Sequence, residues 1–174
     1  MSVSSFIGIF GERIDQDSSL APNTKERRKT AIKAVTTTWP GLSGRDVRRI
    51  TVADCRSWGA KALREGTGFL APNVKTKGSG MSASAFNQAV DALRAVLAIA
   101  CEQGVIYKNP AADVTKAPVS RKRLALPCPE QFQAIAMRIA VAGSEWSQDC
   151  ADLVRLLAFS GVRLRELPQY DGAT

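Results

Sequence analysis

Apolar positions recur with the period of an α-helix in six stretches of the chain. The clearest runs from about Ser84 to Gln103, where Phe86, Val90, Leu93, Leu97 and Ala100 fall on one face and Gly104 supplies the stop. Residues 2–15 give a shorter amphipathic helix with Phe6, Ile7, Ile9 and Phe10 inward; Gly8 and Gly11 weaken it. DQDSSLAPN reads as a loop. A second helix should open near Asn23, with Glu26 as its capping-box partner, and run to Thr38 before Trp39-Pro40-Gly41. Its inward face carries Ala31, Ile32, Val35 and Trp39. Thr51-x-x-Asp54 is another capping box and opens a helix to about Arg64, with Cys55, Trp58 and Ala62 at core spacing. Pro129-Glu130 starts a fifth, using Phe132, Ile135, Ala136 and Ile139 and ending by Gly143. Ser147 can cap a sixth, which uses Cys150, Leu153, Val154 and Leu157 and stops at Ser160-Gly161. The expected fold is therefore all-α.

Two interruptions divide these elements. Residues 66–81 are rich in Gly, Pro and Ser and carry Lys75 and Lys77, a long polar loop of the kind that is functional or flexible. Residues 112–127 contain Pro118, Pro127 and the run Arg121-Lys122-Arg123. The expected organisation is a helical domain over 1–117, a basic linker over 118–127 and a second helical segment over 128–174.

Charge sharpens the picture. The net charge is +8, and residues 1–117 hold 17 Lys and Arg against 10 Asp and Glu, whereas the remainder holds seven against six. Lys25, Arg27, Arg28, Lys29 and Lys33 crowd the second helix, offset only by Glu26, and Arg45, Arg48 and Arg49 follow. A polyanion is the favoured partner. Lys25, Arg27, Arg28, Lys33, Lys75, Lys77, Arg121, Lys122 and Arg123 are the candidate contacts to DNA phosphates. A solvated helix face and a solvated tether are the bland readings of the same charges.

The chain has no histidine, which removes a His general base and any His-containing metal site. Cys55, Cys101, Cys128 and Cys150 are too widely spaced for C-x-x-C zinc pairs and read as small buried hydrophobes in a reducing cytoplasm. No apolar stretch approaches the ~20 residues of a membrane span. The N-terminus lacks a basic n-region and carries Glu12 and Arg13 too early for a signal peptide. No zinc site of these kinds is expected.

One motif carries specific chemistry. The apolar run Leu153–Phe159 stops at Ser160-Gly161 and presents Arg163, then Glu166. A buried helix that ends so would hold a guanidinium at the rim of a core, where its planar fork suits two phosphate oxygens. The stretch Ser160-Gly161-Val162-Arg163-Leu164-Arg165-Glu166 resembles the first arginine box of the tyrosine recombinases, the phage-integrase family. Ala100, Gly104, Ile106, Asn109 and Pro110 resemble the end of that family's core-binding domain, which closes on a Gly-x-Ile turn and an Asn-Pro stop. Spread over residues 2–167, the order of elements is also the family's.

The resemblance implies a SAM-like core-binding domain, followed by the helical start of a catalytic domain. It implies duplex DNA as partner, with self-association on DNA, and makes Arg163 the arginine on the scissile phosphate, with Glu166 as its structural partner. In the family a tyrosine hydroxyl attacks a phosphodiester without metal or nucleotide cofactor. The family's lysine turn, His-x-x-Arg box and nucleophile have no counterpart before Thr174. Tyr170 lies too close to Arg163 for the nucleophile's role, and Pro168 departs from the family's pattern. The chain is thus expected to bind DNA but to be inactive alone, and its two last helices to show apolar faces. A small basic helical DNA- or protein-binding module is the alternative.

Overall fold

The computed structural model describes residues 1–65, 80–120, 125–164 and 166. Among them the regular structure is helical: α1 (Val3–Gln16), α2 (Pro22–Thr38), a single 3-10 turn at Val47–Arg49, α3 (Val52–Glu65), α4 (Ala83–Glu102), α5 (Pro129–Ala140) and α6 (Ser147–Ser160). The only β-type pairing among these residues is an isolated bridge between Ser2 and Asp46. The chain forms two compact units, residues 1–120 and 121–174. The all-α expectation holds.

In the first unit α4 is the central element, and α1, α2 and α3 all pack on it. Phe86, Ala89, Val90, Leu93, Val96, Leu97 and Ala100 are buried along one broad face, as a helix packed on three neighbours requires. Ser82 caps it, its hydroxyl accepting from the Ala85 amide at 3.3 Å. At its other end Gly104 takes φ +68°, and the Val105 amide reaches back to the Ala100 carbonyl at 2.9 Å, the six-to-one bond of a Schellman stop.

The α1 face is Val3, Phe6, Phe10 and Ile14. No side chain caps α1. Its first amides, Val3 and Ser4, bond instead to the Arg45 and Ser43 carbonyls at 2.9 and 3.0 Å, which ties it to the turn before α3.

The start of α2 differs from the expected Asn23/Glu26 box. Pro22 occupies the first turn, Ala21 is the cap residue, and the Thr24 and Lys25 amides bond to the Ala21 carbonyl at 2.8 and 3.1 Å. Proline has its φ preset for this position and no N–H to satisfy, so Pro22 starts the helix ahead of Asn23.

The Thr51/Asp54 box forms as expected. The Asp54 amide donates to Thr51 Oγ1 at 3.1 Å and the Thr51 amide to Asp54 Oδ2 at 3.0 Å. These Thr51 hydrogen bonds, backbone first and then hydroxyl, with Arg45 adding a smaller attraction, hold the Asp54 carboxyl below its ordinary 3.8. A carboxyl depressed on folding stabilises above its unfolded pKa, and that contribution is lost as pH falls through the folded value. Thr51→Ala should therefore cost about 1 kcal/mol in urea unfolding. The advantage of wild type over Asp54→Asn should be full at neutral pH and shrink in acid below the ordinary carboxylate range. An advantage unchanged in acid would contradict this.

After α4 the chain returns along it as a strap, residues 105–117. The Asn109 side chain donates to the Arg94 carbonyl at 2.8 Å and accepts from the Ala111 amide at 3.0 Å. The Arg94 guanidinium donates to the carbonyls of Ala111, Ala112 and Val114 at 3.1, 3.0 and 2.7 Å. Asn87 closes the strap by pairing both backbone groups of Ala117, at 2.9 and 2.8 Å. Beside it Lys116 pairs with Asp91 at 2.8 Å. Positions 87, 91 and 94 share one face of α4, which is why a single helix edge can hold an extended segment.

In the second unit α5 packs on α6. Phe132 meets Phe159 edge-on at 5.7 Å between centroids. Among its described residues the buried side chains are small: Ala136, Ala151 and Ser147. Ile135, Met137, Val141, Trp146, Leu156 and Phe159 are all exposed, whereas Leu153 and Leu157, the residues expected on the uncovered apolar faces, are half-buried. Ser147 does not cap α6. It is the first helical residue, after Trp146, and its hydroxyl accepts from the Ser144 amide at 2.9 Å. Glycine does end this helix, Gly161 standing at φ +69°.

The cysteines divide, against the expectation that all four are buried. Cys55 is buried and Cys101 half-buried, while Cys128 and Cys150 are exposed. Burial, with a smaller push from Asp54, drives the Cys55 thiol up to about 12. An aromatic disulfide reagent should titrate Cys128 and Cys150 in the native protein and reach Cys55 only on unfolding. Rapid native labelling of Cys55 would contradict the packing of α3.

Candidate nucleic-acid interface

The cations of α2 divide between two sides of the helix. Lys25, Lys29 and Lys33 follow one another at four-residue spacing along one line. Two of these are already engaged at the end of α1. Lys25 Nζ donates to the Asp15 carbonyl at 2.7 Å, and Lys29 pairs with the Asp15 carboxylate at 2.6 Å. Lys33 is exposed farther along.

Arg27 and Arg28 lie on the other side, flanking buried Ala31. Both are exposed and face the groove that α2 makes with α4. One concavity there, of about 430 Å³, is lined by Phe10, Thr24, Arg27, Arg28, Ala31, Gln88, Asp91, Ala92 and Ala95. A second, of about 350 Å³, continues toward the start of α4 and shares Arg27, Ala31 and Gln88 with the first. Neither guanidinium has an ion pair or side-chain hydrogen bond among the described residues, although Asp17 and Arg28 attract one another. Two unpaired guanidinium groups beside an open groove can each take a phosphate in a forked pair of charge-assisted bonds.

Two acidic residues line this groove, Glu26 of α2 in the second concavity and Asp91 of α4 in the first, and the charge of Asp91 is offset. Lys116 pairs with it at 2.8 Å and Arg94 approaches at 3.8 Å. The groove between α2 and α4 thus keeps a positive balance, and the strap lies along its α4 edge.

Sequence reasoning missed the contribution of α4. Gln88, Asp91, Asn87 and Arg94 all stand on a helix recognised for its apolar face. The available signal was its polar positions, Ser84, Gln88 and Asp91, which recur at helical spacing on one edge. A further basic group, Arg45, Arg48 and Arg49, surrounds the turn before α3, where Arg45 pairs with Asp54 at 3.5 Å. Lys75, Lys77, Arg121, Lys122 and Arg123 lie outside the described residues, as do Pro168 and Tyr170.

Arg163 stands differently from the expected rim of a core. Its side chain is 86% exposed, and the α6 residues before it, Leu156 and Phe159, are 52% and 75% exposed. What does form is a local turn with Glu166. The Arg163 amide donates to Glu166 Oε2 at 2.9 Å, the Glu166 amide to the Arg163 carbonyl at 2.8 Å, and the two side-chain charges approach to 3.9 Å. Glu166 is therefore a partner of the arginine's backbone first and of its charge second.

Among the described residues no helix is long and apolar enough to cross a membrane, and no cluster of three or more His, Cys, Asp or Glu could hold a metal.

No family model matches the chain, and no curated protein matches it. Among solved structures it is similar to the Tn1549 transposon integrase in complex with circular intermediate DNA, with a TM-score of 0.61 and 19% sequence identity. The likeness covers 96% of this chain and 48% of that one, so the chain spans about half the length of the integrase structure. At this identity the likeness speaks for the fold.

Proposed function

We propose that the chain is a duplex-DNA-binding portion of a tyrosine-recombinase-type integrase. In this reading residues 1–117 are a SAM-like core-binding domain, residues 118–127 a basic linker and residues 128–174 the helical start of a catalytic domain. The carrying observation is the fold likeness, over nearly the whole chain, to an integrase solved on DNA. The unpaired Arg27 and Arg28 beside the groove between α2 and α4 support it, because they supply phosphate ligands that no internal partner consumes.

On DNA, Arg27 and Arg28 neutralise backbone phosphates, and Lys33 adds to the field of the same helix. Lys25 and Lys29 contribute less, since Asp15 already holds them. Lys75, Lys77, Arg121, Lys122 and Arg123 complete the proposed set of phosphate contacts. Arg163 is the proposed ligand of the scissile phosphate. Its side chain is exposed to a phosphate, with the Glu166 carboxylate at 3.9 Å from one end of the guanidinium, and Glu166 fixes the turn from which it extends. The chain binds DNA in this reading and does not by itself break it.

Chemical-shift mapping of residues 1–174 with a short duplex tests the assignment. Perturbed amides should concentrate on α2 and on Ser84–Ala95 of α4. Perturbation confined to the turn around Arg45–Arg49, or none at all, would overturn it.

A further inference from the structure

Resting on that DNA-binding reading, we infer that Gln88 reads a base, and that the base is adenine. Gln88 is the α4 side chain common to both concavities between α2 and α4, and it shares them with Arg27. It is half-buried, and the one hydrogen-bond contact of its amide lies at the surface. The only hydrogen bond of that amide among the described residues is a contact of 3.5 Å to the Ser84 hydroxyl, at the long limit of such bonds. The carbonyl oxygen of the amide has no partner there.

The neighbouring polar groups of α4 are occupied. Asn87 is committed to both backbone groups of Ala117, Asp91 to Lys116, and Arg94 to three strap carbonyls. Gln88 therefore keeps both a donor and an acceptor available, at the centre of a face whose flanking arginines suit phosphates.

A primary amide offers one N–H and one C=O side by side. In the major groove adenine alone presents the complement, N7 as acceptor and the N6 amino group as donor, and Gln or Asn pairs with it through two bonds. The major groove is wide enough to admit an α-helix. Arg27 and Arg28, on α2, would take the phosphates bordering that groove, and Ala92 and Ala95 of α4 place nothing bulky beside the amide.

The test is selection of a randomised duplex library by residues 1–174 and by two variants, followed by sequencing. Gln88→Ala is a truncation at a half-exposed position, so native thermal unfolding serves as its folding control. Wild type should favour adenine at one position of the half-site by roughly 5- to 150-fold, the range of one two-bond base contact. Gln88→Ala should flatten that position and leave the salt dependence of binding unchanged. Gln88→Lys should move its preference to guanine, whose O6 and N7 accept from an ammonium. Wild-type binding with no sequence preference, or a preference unchanged in both variants, overturns the role of Gln88 and leaves the DNA reading standing. Failure of wild type to retain any duplex overturns both.

Discussion

Arg94→Ala should destabilise the 1–120 unit by about 3 kcal/mol, the largest effect expected of any surface-accessible side chain here. The guanidinium donates to the carbonyls of Ala111, Ala112 and Val114, and residues 111 and 114 are 0% and 3% exposed. Truncation removes three charge-assisted bonds and leaves acceptors in a strap that packs against the core. Water can reach Ala112 on the surface but has little access to the other two. Arg94→Lys should recover less than half of the loss, because an ammonium cannot fork from Nε and Nη2 toward separate carbonyls. Urea unfolding followed by tryptophan fluorescence reads the effect, since Trp39 and Trp58 report on this unit, stacked at 5.8 Å. A cost under about 1 kcal/mol would mean that the strap is held by its apolar contacts, Ala111 and Val114, rather than by the arginine.

Arg27→Ala/Arg28→Ala should weaken binding to duplex DNA by roughly one to two orders of magnitude at low salt. It should also reduce the salt slope by about two, at close to 0.9 for each phosphate released from its counterions. Both side chains are exposed, so the double variant should unfold like wild type. Lys25→Ala/Lys29→Ala carries the same change in formal charge and should cost distinctly less. Its ammonium groups are already directed to Asp15, at 2.7 and 2.6 Å. Equal losses in the two double variants would mean that the protein is felt by DNA as a diffuse positive field, without a particular face.

Much of the helical fold is legible in the sequence because α4 is. A run of Phe86, Val90, Leu93 and Leu97 at helical spacing allows no other burial, and Gly104 and Asn109-Pro110 allow no continuation. Helix starts were less legible, because several chemistries can satisfy the same free amides. Thr51 and Asp54 formed their box, whereas Asn23 and Glu26 lost to Pro22 one residue earlier. Ser147 lost to the turn at Ser144–Trp146, where its hydroxyl found a different amide.

The candidate site was legible as charge and illegible as geometry. Five cations on α2 read as one set, but only the packing of α1 and α4 separates Lys25 and Lys29, held by Asp15, from Arg27 and Arg28 over the groove. The role of Gln88 depends on what its neighbours are already bonded to, and no one-dimensional pattern carries that. Arg163 is exposed where the motif led to the expectation of a core rim, and the buried side chains of α5 and α6 are small. Ala136 and Ala151 are buried, but they do not make a core large enough to cover Leu156 or Phe159.

The most direct test of DNA binding as the function is fluorescence anisotropy of residues 1–174 on a labelled duplex across a salt series. Affinity should fall steeply, with a log–log slope of several units, as expected when several phosphates are neutralised at once. No binding even at low salt would contradict the proposal and leave Arg27, Arg28 and Lys33 as a solvated face.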